Sequence, residues 1–334
     1  MLDIYPWQYE QMQRLSSMSE QKRLPHALLF SGPEGIGLKQ FTLSFVMKIL
    51  CISKDNQSKV ACGKCKSCEL FKAKSHPDLK LILPEEKSKM IKVDQVRELI
   101  NYVSFKSFSG DLKIVIISPA DAMNRSTANA LLKTLEEPPI QSMLILLTHQ
   151  PSVLPVTIRS RCQKINFKPT YDKAAIDWLD INLKNPQLSS DLLLRLAGGG
   201  PLKAIELMNE DYLSSRHKLL EDLDALDKHN IDPLKIVARW QNLGAENTVS
   251  WLMQIINDLV RLKLCSDNAT IMNLDLREDL QGLTNTLDLL KLMRGYDFIL
   301  LKYKELKGPM NYNSLSILEE IALFWKNYGN STTQ

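Results

Sequence analysis

Four of the six cysteines crowd into one short stretch, Cys51 followed by Cys62, Cys65 and Cys68, with Gly63 permitting the tight turn between them. Thiolates at such spacing suit tetrahedral Zn²⁺ with no open position, which is a structural centre and not a catalytic one. Two other readings stay open. An iron–sulfur cluster would normally bring the further cysteine–proline of ferredoxin runs, which is missing here; thiols packed without metal are the plainest alternative. His76 can stand in for Cys51 as fourth ligand, although Ser75-His76-Pro77-Asp78 reads more readily as a turn into a strand. Cys162 and Cys265 read as ordinary packing.

A second set of residues concerns phosphate. Ala27–Ser31 runs into Gly32-Pro33-Glu34-Gly35-Ile36-Gly37 and then a helical pattern, the strand–loop–helix setting that a phosphate-binding loop requires. A loop that works on a nucleoside triphosphate continues with a lysine for the β/γ-phosphates and a hydroxyl for Mg²⁺. Here those positions hold Leu38 and Lys39. One step along a helix is a rotation of about 100°, so Lys39 is expected to point away from the phosphates. The strand Ile114–Ile117 should then end in the acidic pair that holds Mg²⁺ and activates water, and it ends in Ser118-Pro119. Asp121 follows in a turn, where it reads as a capping or solvated carboxylate. The loop is expected to be vestigial, able at most to hold an anion weakly through its amides.

These residues need a scaffold, and the pattern of the chain supplies one. From Ala27 to Phe167, short apolar β-rich runs (27–31, 79–83, 113–118, 143–148, 163–167) alternate with helical segments (38–50, 93–102 with Asp94 as its cap, 126–135). Such alternation predicts a parallel sheet covered on both faces. After Pro169 every segment reads as an amphipathic helix, with Trp251, Leu252, Ile255, Ile256, Leu259 and Leu262 at i, i+3, i+4 spacing. At 334 residues the chain exceeds a single small module, and 44% hydrophobic with 24% charged residues excludes wholesale disorder. Formal charge is +9 over residues 1–168 and −5 over 169–334, so the halves are expected to face different partners. The start of the chain lacks a basic region followed by an apolar stretch, and no apolar run approaches the ~20 residues of a spanning helix, so a cytoplasmic location is expected.

The stretch Asn129-Ala130-Leu131-Leu132-Lys133-Thr134-Leu135-Glu136-Glu137-Pro138-Pro139, followed by Leu154-Pro155-Val156-Thr157-Ile158-Arg159-Ser160-Arg161-Cys162, resembles the clamp-loader branch of the AAA+ proteins. Within it, the damaged loop and the basic cysteine cluster are similar to the delta-prime type of the bacterial DNA polymerase III loader more than to its gamma/tau ATPases. The resemblance is dense over residues 5–168, while the helical remainder agrees in length and class. It implies a RecA-like α/β domain (1–168) with a zinc module at 51–68, a helical lid (169–208) and an all-α oligomerisation collar (209–334). It further implies a heteropentameric ring with gamma/tau and delta subunits, acting on a sliding clamp and primed DNA. Ser160-Arg161-Cys162 matches the family motif whose arginine reaches into the next subunit's ATP site, which makes Arg161 the candidate finger; Arg159 lies off the motif position. Active relatives carry an arginine on the helix after a glycine turn, and at Gly199-Gly200-Pro201-Leu202-Lys203 that position is Leu202. Lys203 reads as a solvated helix charge.

Between Lys48 and Lys92 lie eleven lysines, no arginine and five acidic residues. Such a stretch can neutralise phosphates without reading sequence, yet it has no aromatic stacking platform, and a soluble surface explains it equally well. Two further functions compete with the non-hydrolysing loader subunit: an ATP-hydrolysing gamma/tau-like subunit, opposed by Leu38, Lys39 and Ser118, and a stand-alone zinc-dependent nucleic-acid binder.

Overall fold

The most uniformly apolar strands form the centre of a parallel sheet. In the computed structural model, which describes residues 4–53, 60–85, 88–108, 112–183, 189–207, 210–228, 231–265, 269–308 and 312–327, β1 (Ala27–Ser31), β3 (Lys113–Ile117) and β4 (Ser142–Thr148) are buried at every position. The more polar β2 (Leu79–Ile82) and β5 (Gln163–Asn166) take the edges, giving the order β2-β3-β4-β1-β5 with all pairs parallel. This follows from burial on both faces, which demands near-continuous apolar runs only in central strands.

Helices close both faces. In chain order they are α1 (Tyr9–Glu20), α2 (Leu38–Leu50), α3 (Lys66–Lys72), α4 (Val93–Ser104), α5 (Arg125–Glu136), the single turn α6 (Val156–Arg159) and α7 (Lys173–Asn182). Leu28, Phe30, Ile116 and Ile145 meet Phe41 and Phe45 of α2 on one side of the sheet. Alternate residues Leu29, Val115, Ile117 and Leu144 meet Val96 and Leu99 of α4 and Leu131 and Leu135 of α5 on the other. Asp94 is not the cap of α4: the N-cap is Lys92, whose N–H is accepted by Gln95 Oε1 at 2.9 Å, while Asp94 sits in the first turn and pairs with Arg97 at 3.1 Å.

The chain divides into two compact units, Met1–Asn182 with Ala197–Ile205, and Leu183–Leu196 with Glu206–Gln334. The stretch 169–208 is therefore shared out: α7 and most of α9 (Pro201–Glu206) go with the sheet, and α8 (Ser190–Leu196) goes with the second unit. That second unit is all helical, comprising α8, α10 (Glu210–Asp227), α11 (Pro233–Asn242), α12 (Ala245–Cys265), α13 (Arg277–Thr286), α14 (Leu289–Lys307) and α15 (Ser314–Asn327). Its core includes all six apolar residues that mark α12 in the sequence, together with Trp240 and Trp325. A polar network is buried in it: the Arg216 guanidinium donates to Asp275 at 3.0 Å and to Asn273 at 2.6 Å, and the Asn273 amide donates to Asp258 at 2.6 Å. Partners of both kinds make this burial tolerable. No helix among the described residues is long and apolar enough to cross a membrane.

Candidate functional site

Cys51 caps the end of α2 and Cys65 caps the start of α3, so the helix ends bring the four cysteines together. Four sulfurs about 2.3 Å from one tetrahedral ion stand about 3.8 Å apart. The Cys51 and Cys65 sulfurs are 3.9 Å apart, as are those of Cys62 and Cys68, and all four lie within 4.8 Å of one another. Gly63 takes φ +72° in the turn, and its carbonyl accepts from Lys72. Burial pushes the Cys68 thiol up to about 12, helped by the Cys65 and Cys51 thiols beside it. Burial would raise Cys65 too, but the N–H groups of Cys68 and Ile52 bring it down to about 6. Cys51 is raised by burial, while Cys62 is lowered by the N–H groups of Lys64 and Cys65. Two easily ionised thiols thus face two reluctant ones, and a divalent cation is what ionises all four together. The donor set fits zinc.

His76 is not part of it. Its ring is buried, with Nε2 2.9 Å from the Ser67 hydroxyl and Nδ1 accepting the Asp78 N–H at 3.1 Å. Ser67 in turn donates to the Leu50 carbonyl at 2.6 Å, so the hydroxyl must accept from His76 Nε2–H. Burial holds this histidine below its usual value, with Asp78 opposing. The chain Leu50–Ser67–His76–Asp78 fastens the cysteine module to β2.

The glycine loop has the geometry its sequence requires. Gly35 and Gly37 have φ of +75° and +87°, in the left-handed region that glycine occupies freely. Leu38 is 2% exposed and packs in the core, while Lys39 is exposed one position on. The loop is covered from two sides by the same chain. On one side Trp7 Nε1 donates to the Ile36 carbonyl at 3.1 Å, and Gln8 Nε2 donates to Ile36 and Gly37 carbonyls at 2.7 and 3.2 Å. On the other, the Leu202 N–H donates to the Gly35 carbonyl at 2.9 Å and Lys203 pairs with Glu34 at 3.1 Å. Approach is so close that a Cβ on Gly200 would lie 2.1 Å from the Glu34 carbonyl oxygen. Lys203 is therefore partly solvated but paired. Asp121 accepts from the Thr148 hydroxyl at 2.5 Å, which gives it a structural partner at the end of β4.

Arg161 follows α6 and precedes β5. Its Nη1 donates to the Thr157 carbonyl at 2.9 Å, and its Nη2 reaches Glu136 Oε1, the last residue of α5, at 2.5 Å. Arg159 differs: its Nε is buried with no hydrogen-bond partner among the described residues. Cys162 is buried, and burial pushes its thiol up to about 11, whereas Cys265 is exposed at the end of α12 and does no packing of the kind expected. In the basic stretch Lys64, Lys66, Lys72 and Lys74 are exposed, Lys80 and Lys92 pair with Glu98 and Glu85, and Lys54, Lys59 and Lys87 lie outside the described residues.

A family model described as "DNA polymerase III, delta subunit" matches residues 7–171, and one described as "DNA polymerase III, delta subunit, C terminal" matches 210–327. The DNA polymerase III subunit delta' of Pseudomonas aeruginosa is 33% identical over 97% of this chain and 98% of its own. The chain belongs to the delta-prime family of DNA polymerase III subunits. The delta' subunit of Escherichia coli K12 is 31% identical over 81% of this chain and 80% of its own. A tau/gamma subunit from Haemophilus influenzae is 35% identical over a shorter stretch, 46% of this chain and 22% of that one. The two family models fall on the parallel α/β unit and on the helical C-terminal unit respectively.

Proposed function

We propose that this chain is the non-hydrolysing subunit of a clamp loader, working in the cytoplasm in a heteropentameric ring with gamma/tau ATPase subunits and a delta subunit to place a sliding clamp on primed DNA. The observation that carries this reading is the covered loop. An ATPase must keep the space over its loop open and aim a lysine into it. Here Trp7, Gln8, Leu202 and Lys203 engage the loop, Leu38 belongs to the core, and Asp121 is held by Thr148. The similarity to a tau/gamma subunit supports a ring of related chains.

In this reading the chain's chemical contribution is made in trans. Arg161 offers a planar cation to the γ-phosphoryl group bound by a neighbour, an effect worth about 10³ to 10⁵ in rate where such arginines have been removed. Cys51, Cys62, Cys65 and Cys68 hold a zinc ion that cross-links the end of α2 to the start of α3 and takes no part in turnover. DNA is met through the assembled complex.

Calorimetric titration with Mg·ATP tests the loop: no saturable binding below millimolar concentration and no turnover are expected, and Leu38→Lys should not restore them. Hydrolysis that vanishes on Gly37→Val would overturn the reading. For the finger, a ring reconstituted with Arg161→Ala should assemble normally, lose part of its DNA-stimulated ATP turnover and lose more of its loading rate. Arg161→Lys should rescue poorly, because a point charge does not reproduce the planar fork. Unchanged loading with Arg161→Ala would reduce the chain to a scaffold.

A further inference from the structure

Arg161 is held before any neighbour arrives. Its Nη1 edge is fixed by the Thr157 carbonyl at 2.9 Å and, more distantly, by the Ser160 hydroxyl at 3.4 Å. The Nη2 edge is fixed by Glu136 at 2.5 Å. A guanidinium has five N–H groups, so these contacts set the plane of the fork and leave Nε–H and the other Nη2–H for an outside oxyanion.

The carboxylate is also oddly placed for a merely structural residue. Glu136 closes α5, where the unpaired carbonyls make negative charge unfavourable, and Glu137 follows it directly. Lys133 is the one cation in that last turn, against the two carboxylates Glu136 and Glu137. Nor does the pair serve the fold: the side chains are 34% and 49% exposed, in the range where an ion pair contributes little to stability. What such a contact does is hold a long side chain in one orientation, so that less conformational freedom is lost when it grips its target.

We infer that Glu136 is a positioning residue for Arg161, pre-orienting the guanidinium for the neighbouring subunit's phosphate. The inference rests on the reading of Arg161 as a trans finger. Glu136 itself touches no reacting atom. The carboxylate holds Nη2 and the Thr157 carbonyl holds Nη1.

The test uses rings reconstituted with this chain as wild type, Glu136→Ala, Glu136→Gln, Arg161→Ala or the Glu136→Ala/Arg161→Ala double variant, in single-turnover ATP hydrolysis with clamp and primed DNA. Immobilising one rotamer-rich side chain corresponds to about a two- to tenfold effect. Glu136→Ala should therefore slow hydrolysis about two- to tenfold at the ATP site that Arg161 serves, with little change in KM for ATP, as expected when an interaction made only in the transition state is weakened, so the ring's total turnover falls by no more than with Arg161→Ala. Glu136→Gln, which can still accept a hydrogen bond, should retain most of the rate, and the double variant should match Arg161→Ala. In the isolated chain, nitrogen NMR of the Arg161 guanidinium should show restricted rotation that is lost in Glu136→Ala while the melting temperature stays the same. Wild-type or faster turnover with Glu136→Ala, alongside an impaired Arg161→Ala, would overturn this inference and leave the finger standing. Wild-type turnover with Arg161→Ala would remove the finger and this inference with it.

Discussion

Helix α2 has the glycine loop at its start and the cysteine cluster at its end, and the two sites differ in what they lack. The loop has the shape of a phosphate cradle, with glycines in left-handed conformation ahead of a helix N-terminus, but the side chains that would hold a nucleotide are replaced and its carbonyls are covered by the chain itself. The cluster has the reverse: little regular backbone, but four sulfurs at the separations one tetrahedral ion needs. Each end also has a matching helix polarity, positive at the start, which suits an anion, and negative at the end, which suits a cation. On the function proposed above, backbone shape and dipole alone do not make a binding site, and donor atoms and open space are what the two ends differ in.

The widest test of that contrast removes the metal. Chelation, or Cys65→Ser, should release about one zinc per chain and expose the amides of 60–72 to rapid hydrogen exchange. The local loss should be several kcal/mol and below the ~10–16 kcal/mol of isolated zinc-finger peptides, since α2 and β2 anchor the module here. Unchanged exchange after verified zinc loss would place the cluster with the loop, as shape without function.

On the loop side, Gly200→Ala should cost about 2–4 kcal/mol in denaturant unfolding, because its methyl group meets backbone oxygen that has nowhere to go. Gly282→Ala is the control: nothing lies within 4 Å of its Cβ, it sits inside α13, and it should be neutral or stabilise by about 0.5–1 kcal/mol. Equal effects at the two glycines would mean that the loop is not tightly covered.

His76 sharpens the comparison through pH. Its folded value is depressed, so the folded state resists a proton that the unfolded chain accepts. Stability is therefore complete above the ordinary histidine value of about 6.5, declines as pH falls through it, and levels off below the depressed value. The decline should be smaller in His76→Asn, measured as denaturation midpoint against pH. The smallest effect is Lys203→Ala, about 0.2–1 kcal/mol, since its pair with Glu34 is partly solvated. Saturable ATP binding in that variant would show that a single side chain keeps the loop closed.

Strands and the helices between them were legible because burial on two faces leaves near-continuous apolar runs, and β1 and α2 have the bounds their pattern implied. The cysteine set was legible because its ligands lie within eighteen positions of each other. What escaped notice depends on long-range meetings: Lys203 with Glu34 across 169 positions, Trp7 and Gln8 with the loop across almost thirty, and Arg161 with Glu136 across twenty-five. No local spacing encodes such pairs. Asp94 was misplaced for a different reason, because a capping signal two residues inside the helix is easily confused with a cap when Gln95 supplies the actual bond.

The Trp7 ring that donates to the loop is also stacked on Tyr5 at 4.9 Å and meets Trp178 of α7 edge-on at 5.2 Å. Two indoles that close are excitonically coupled, and one of them is hydrogen-bonded to a loop carbonyl. The protein therefore carries its own chromophore pair beside the loop: any partner or ion that lifts the N-terminal segment should change the near-ultraviolet circular dichroism and tryptophan emission without an added label.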